Sequence, residues 1–209
     1  MKTNYVSVVG TIGREPVYEY TAHGEEFYTA TIQIRRDSGI VDEIPILMSE
    51  WVFNQDDTLC GKRVRIQGSF RSYNKQEKEK RHLILNIFVD RMNEICMEDV
   101  KEENRIELDA FICKTPTYRK TPKGKEITDL CVAVNRPNGQ SDYIPCIVWG
   151  RIGKWVEKLP IGSNLKLRGR LQSRDYTKWL NETESEIRRA YEVSVGEIKL
   201  IREKGPCDM

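Results

Sequence analysis

Apolar and polar positions alternate with a period of two along much of the chain, as they do in strands with one face buried and one exposed. In residues 164–172, Leu165, Leu167, Gly169 and Leu171 share one face, and Lys166, Arg168, Arg170 and Gln172 share the other. Residues 142–149 do the same, with Ile144, Cys146 and Val148 on one side and Tyr143, Pro145, Ile147 and Trp149 opposite. The pattern predicts strands at about 5–13, 26–36 and 43–49, a fourth opening after Gly61, and a fifth at 82–93. It predicts a second set at 105–114, 126–136 and 142–149, a fourth opening after Gly162, and a fifth at 190–201. Turn chemistry separates them: His23-Gly24, Asp37-Ser38-Gly39, Pro122-Lys123-Gly124-Lys125 and Pro137-Asn138-Gly139. Pro16 and Pro116 are expected to end the first strand of each set, and two charged stretches, 74–80 and 177–189, are read as polar hairpin tips. Only residues 151–159 change period. There Ile152, Trp155, Val156 and Leu159 recur at helical spacing, which assigns Trp155 to a core-facing stripe; the counterpart at 50–58 is less regular.

The two sets are copies of one unit. Shifted by 100 positions, Asn4, Ile12, Pro16, Tyr18, Gly24, Arg36, Gly39 and Asp42 recur as Asn104, Ile112, Pro116, Tyr118, Gly124, Arg136, Gly139 and Asp142. After a slip of one residue, Gly61, Val64, Ile66 and Gly68 match Gly162, Leu165, Leu167 and Gly169. Such self-similarity has to be found first, because it decides the architecture. Five strands with a short helix between the third and fourth describe a small Greek-key barrel of the OB type. The fold class is therefore all-β, two tandem five-stranded OB-fold barrels each with that helix, divided as 1–100 and 101–209 by the short charged link 97–103.

Charge sharpens the picture only when it is divided. The chain carries 34 basic and 32 acidic residues, yet residues 1–100 are net −3 and residues 101–209 net +5, which suits a polyanion at the second unit. No apolar run approaches the ~20 residues of a membrane span, and the opening residues lead straight into a strand pattern rather than a signal peptide. The six cysteines form no C-x-x-C pair, and His23 and His82 stand apart, so neither a metal nor another cofactor is expected. Cysteines inside strands read as reduced, buried thiols of a cytoplasmic protein.

The candidate chemistry lies on the outward faces of the second unit. Tyr143 and Trp149 flank one strand, and a row of cations lies on the next; a sheet with flat rings beside cations can stack bases and neutralise phosphates. Lys114, Lys123, Lys125, Arg168 and Arg170 enter the candidate site on this face argument alone. Trp179, in the polar tip, either clamps a nucleotide or lies on the barrel. No glycine-rich phosphate loop, histidine cluster or paired nucleophile and base is visible, so an enzyme is not expected.

The second unit resembles the bacterial single-stranded DNA-binding protein family. The likeness is carried by Asn104-Arg105-Ile106-Glu107-Leu108, Lys114-Thr115-Pro116, Ala133-Val134-Asn135-Arg136, Asp142-Tyr143-Ile144-Pro145-Cys146-Ile147-Val148-Trp149 and Gly169-Arg170-Leu171-Gln172-Ser173-Arg174-Asp175-Tyr176. It spans nearly all of 104–201, with a fainter copy over 4–95. The resemblance implies that Tyr143, Trp149 and Tyr176 stack on bases and that Arg174 and Arg151 face phosphates. It implies sequence-tolerant binding of single-stranded DNA in replication, recombination or repair, by a homodimer presenting four barrels. The first copy has Glu43 and Ser49 where the second has Tyr143 and Trp149, with Trp51, Phe53 and Tyr73 nearby in another register. That barrel is expected to bind weakly or to serve in assembly. Family members end in an acidic tail with a hydrophobic tip, and Arg202 to Met209 offer neither, so recruitment through such a tail is not expected. The alternative from another class is a protein-interaction module of a replisome, primosome or mobile element, with DNA contact secondary.

Overall fold

The computed structural model describes residues 3–77, 80–95, 100–179, 181 and 184–202. Cys96, Cys207 and residues 203–209, on which the expectation about the tail rests, lie outside them. Among the described residues, eleven strands form one sheet that closes twice. The first barrel comprises β1 (Asn4–Ala22), β2 (Glu25–Arg35), β3 (Val41–Ser49), β4 (Arg63–Glu77) and β5 (Lys80–Glu94). The second comprises β6 (Glu103–Ile112), β7 (Thr117–Lys120), β8 (Glu126–Asn135), β9 (Ser141–Trp149), β10 (Asn164–Trp179) and β11 (Ser185–Arg202). Each barrel closes through a parallel pair, β3 with β5 and β9 with β11, and through its first strand, β1 with β2 and β6 with β8. The predicted tandem OB architecture is present, with an all-β core in which Ile32, Ile44, Ile66, Phe70, Ile106, Val132, Ile144 and Leu165 are fully buried.

Several expected boundaries moved, each for a physical reason. β1 does not stop before Pro16 but runs to Ala22, with irregularities in its pairing to β2 between Ile12 and Arg14 and between Arg14 and Val17. A proline tolerates such a site because no ladder donor is required there. The second copy does break near its proline, into β6 and β7. The two charged stretches are mostly strand: Asn74 pairs with Leu83 and Trp179 with Ser185. A two-stranded ribbon satisfies its own backbone, so polar side chains on both faces do not end it, and Arg189 pairs with Asp175 at 2.7 Å across the strands. A helix follows β9, α1 (Gly150–Val156), whereas the first copy has only a 3-10 turn, Glu50–Val52. Asn54 explains the difference, since its side chain and carbonyl accept from the Asp56 and Asp57 amides and offer the backbone an alternative to the helix. Trp155 is not core: it is 40% exposed, and α1 rests on the barrel through Gly153, Val156 and the following Leu159. A Cβ on Gly153 would meet the Val148 carbonyl at 2.9 Å, so the helix seats itself through its missing side chain.

The barrels are joined by strand and by charge around an internal two-fold relation. β1 pairs antiparallel with β6, Val6 opposite Ile106 and Asn4 opposite Leu108. Asp42, fully buried, takes the Arg36 guanidinium and the Ser173 amide of the other barrel at 2.7 Å. Asp142, equally buried, takes Arg136 and the Ser72 amide at 2.6 Å. The Arg–Asp pairs preserved by the duplication are thus the joint between its copies. Among the described residues no helix is long and apolar enough to cross a membrane.

Candidate functional site

β9 sorts its side chains largely as the alternation predicts, the exception being Ile147, assigned to the outer face but buried. Ile144, Cys146 and Val148 are buried at 0, 2 and 1% exposure, while Tyr143 and Trp149 are 46 and 37% exposed on the outer face. Parallel pairing with β11 sets Ser194 beside Ile147, and the Trp149 indole Nε1 donates to Ser194 Oγ at 3.0 Å. One edge of the ring is therefore fixed, and Lys125 Nζ stands 5.8 Å from its centroid. A cation over an indole face is attractive and holds the ring ready at little entropic cost.

Trp149 opens on a groove of about 750 Å³ that also collects Lys125, Arg170, Gln172 and Arg174 from the second barrel. Its other wall comes from the first barrel: Arg36, Ser38, Ile40 and Val41 in the β2–β3 turn. Arg170 is the most telling cation. Its Nη1 is buried without a hydrogen-bond partner among the described residues, 3.8 Å from Asp42 Oδ2. Burial, and then the neighbouring Arg36 charge, lower its pKa from the ordinary arginine value. A buried donor left unpaired is costly unless something in the groove accepts from it, and an anion is the acceptor that also relieves the repulsion. Arg174 is held differently. Its Nε lies 3.3 Å from the buried carboxylate of Glu192, and its guanidinium carbon stands 5.8 Å from the Tyr176 ring centroid. Gln172 donates to the same Glu192 at 2.7 Å. Tyr176 is 38% exposed on the β10 ribbon opposite Arg188.

Not every expected residue reaches this groove. Arg168 lines a different cleft and is tied to Glu107 at 2.8 Å and Glu197 at 3.4 Å. The register shift between Arg168 and Gly169 separates it from Arg170, which simple alternation had put on the same face. Lys114 is exposed at the β6–β7 break, Lys123 in the β7–β8 turn and Arg151 on α1; none of them lines the groove. Trp179 is 66% exposed near the end of the β10–β11 ribbon. Ser194, Glu192 and the first barrel's Arg36 turn were missed. Arg36 had a signal, since it recurs as Arg136 while the sheet faces around it diverge. Ser194 had none, because its role depends on which strand β11 lies beside.

The thiols are consistent with structural use. Burial, reinforced by a hydrogen bond with Cys131, pushes the Cys113 thiol up to about 12, and burial pushes Cys146 well above the ordinary value. Among the described residues no cluster of His, Cys, Asp and Glu could hold a metal ion.

Residues 103–201 match the model of the single-strand binding protein family. Over 80 residues, 35% of this chain, it is 39% identical to single-stranded DNA-binding protein 3 of Listeria innocua and 40% identical to single-stranded DNA-binding protein 1 of Staphylococcus aureus. Those stretches cover 50% and 48% of the two relatives, so the chain spans about half the length of the curated relatives it matches. In fold, the whole chain is similar to the wild-type single-stranded DNA binding protein from Thermus aquaticus. The TM-score is 0.74 at 18% identity, covering 99% of this chain and 96% of the other.

Proposed function

Residues 103–201 belong to the single-strand binding protein family, and from that premise we propose that the chain captures single-stranded DNA without doing chemistry on it. One observation carries the reading: the Trp149 ring, pinned to Ser194 and open on one side, faces a groove lined by Arg170, whose buried Nη1 has no hydrogen-bond partner among the described residues and only a distant ion pair, 3.8 Å, with Asp42. Bases stack on the indole and, outside the groove lining, on the exposed rings of Tyr143 and Tyr176, while Lys125, Arg170 and Arg174 neutralise the backbone. Arg151, Lys114, Lys123 and Trp179 act outside the groove, as contacts for the strand entering or leaving it. Arg168 is engaged by two carboxylates and contributes little. Stacking favours no base in particular, and a duplex hides the base faces, so the preference is for unpaired strands of any sequence.

We divide the chain near residue 100, into barrels 1–100 and 101–209, on the strength of the duplication. We further propose a homodimer presenting four barrels, cytoplasmic and at the nucleoid, serving replication, recombination or repair. Closed two-fold assemblies are the commonest, and the β1–β6 edge is already used internally, so the dimer forms through another face. Light scattering at micromolar concentration tests it, twice the 24.4 kDa chain mass being expected and a monomer mass refuting it.

Anisotropy titration of labelled oligo-dT tests the binding reading. Trp149→Ala weakens binding by about 1–3 kcal/mol at every salt concentration, and wild-type log affinity falls with log salt at about −0.7 per phosphate engaged. If the wild type leaves oligo-dT unbound at low salt, protein docking takes the place of DNA binding as the better reading.

A further inference from the structure

The first barrel lacks rings at the positions of Tyr143 and Trp149, yet it has a groove of its own. About 580 Å³ in volume, it is lined by Tyr20, Leu47, Tyr73 and Phe88, with Arg71 and Asn86 beside them. Its far wall is Arg136, Pro137 and Asn138, the β8–β9 turn of the second barrel. This mirrors the second barrel's groove, which is walled by the first barrel's β2–β3 turn. The rings have moved within the repeat. Phe88 precedes Val89, the partner of Gly68, as Ser194 precedes Val195, the partner of Gly169. Phe88 therefore stands where the second barrel has the serine that pins its indole, and Ser49 stands where it has the indole. Tyr73, five residues past Gly68, holds the place of Arg174.

These rings are preorganised. Tyr20 stacks on Phe27 at 5.1 Å and 25°, and Phe27 lies 6.1 Å from Phe88. Tyr20 and Tyr73 nevertheless keep 40% of their surface in solvent. Asn86 supplies the polar element. It is 5% exposed, and its Oδ1 is buried with no hydrogen-bond partner among the described residues. An amide oxygen beside flat rings suits the N–H edge of a base. The two cations are engaged: Arg71 lies 3.1 Å from Asp142, and Arg136 is paired with the same carboxylate.

We propose that this groove is a second nucleotide site, which takes unpaired bases of the strand held by the second barrel through stacking on Tyr73, Tyr20 and Phe88 and a base N–H to Asn86 Oδ1. It rests on the proposed function and departs from the expectation that the first barrel, lacking the usual rings, binds weakly or acts mainly in assembly. Because Arg71 and Arg136 already share Asp142, the site adds affinity with little added salt dependence, unlike the groove around Arg170.

The test is photo-crosslinking of the intact protein to an oligo-dT containing 5-iododeoxyuridine, long enough to cross both barrels, followed by peptide mapping. Adducts on Tyr20, Tyr73 or Phe88, in addition to second-barrel aromatics, support the site. Adducts confined to the second barrel overturn it and leave the proposed function standing, whereas adducts in neither barrel overturn both. In parallel, Tyr73→Ala changes a half-exposed ring and is expected to weaken binding of that oligonucleotide about tenfold with an unchanged salt slope. Wild-type affinity in a Tyr73→Ala, Phe88→Leu double variant also overturns the site.

Discussion

Glu192 looks misplaced, a buried carboxylate beside the groove proposed for a polyanion, and its contacts explain it. It receives Gln172 and holds Arg174 near Tyr176, so it orders the cation while cancelling part of its charge. Glu192→Gln should therefore free Arg174 for phosphate. Oligo-dT affinity then rises several-fold at low salt, and the salt slope steepens by about 0.7, the share of one phosphate. A fall in affinity in the same titration would mean that positioning matters more than charge. The thiols yield a second test. Iodoacetamide at pH 8 should modify exposed Cys60 in the native protein but reach Cys113 and Cys146 only in denaturant, as peptide mapping would reveal. Both folded pKa values are raised, so the stability these thiols contribute is complete below the ordinary thiol value of about 8.5. It declines as pH climbs from there towards the folded values. At this scale the sequence was legible where alternation decides exposure, as for Tyr143 and Trp149. It was opaque for Glu192 and Ser194, whose partners sit on strands distant in sequence.

Among the elements, the strands were legible because alternation is a local property, and the joint between barrels was legible only as unexplained identity. Arg36, Asp42, Arg136 and Asp142 survive duplication although the two arginines only wall the grooves and the two aspartates are buried beneath them. The structure supplies the reason, since each aspartate reads a backbone amide of the other barrel. Removing one partner of a buried ion pair leaves the other uncompensated, at a cost of about 3–5 kcal/mol. Asp142→Ala should lower the urea midpoint accordingly, and because Arg136 walls the first barrel's groove, both barrels should unfold earlier together. Gly68 and Gly169 form another conserved pair with a packing reason. A Cβ would sit 2.1 Å from the Phe88 carbonyl oxygen in one and 2.3 Å from that of Ser194 in the other. Strand ends were poorly legible, because a ribbon such as β10–β11 needs no buried face to persist. The sequence pattern reports burial, whereas the ribbon is held by its own ladder.

For the whole molecule, the duplication predicts what the halves do when separated. In the β1–β6 ladder Asn4 faces Leu108 and Val8 faces Asn104, a register symmetric about Val6 and Ile106. Translated by the repeat, the same register pairs β6 with a second β6, Ile106 opposite Ile106 and Arg105 opposite Glu107 twice over. Opposite charges facing one another across antiparallel strands are favourable, and an unpaired strand edge seeks such a partner. The fragment 101–209 should therefore be a dimer by light scattering at tens of micromolar, with a far-ultraviolet dichroism spectrum rich in β-structure. Arg105→Glu would set like charges opposite each other on both sides of the ladder's centre and shift the fragment towards monomer, while the intact chain, where Arg105 faces Ser7 across the ladder, loses only its exposed ion pair with Glu107 and should keep its assembly. A folded, monomeric fragment would mean that the edge is protected and that the joint depends on the Asp42 and Asp142 contacts rather than on strand pairing. The fragment should also bind oligo-dT less tightly than the intact chain unless its partner restores the missing wall, because Arg36, Ser38, Ile40 and Val41 belong to the half it has lost.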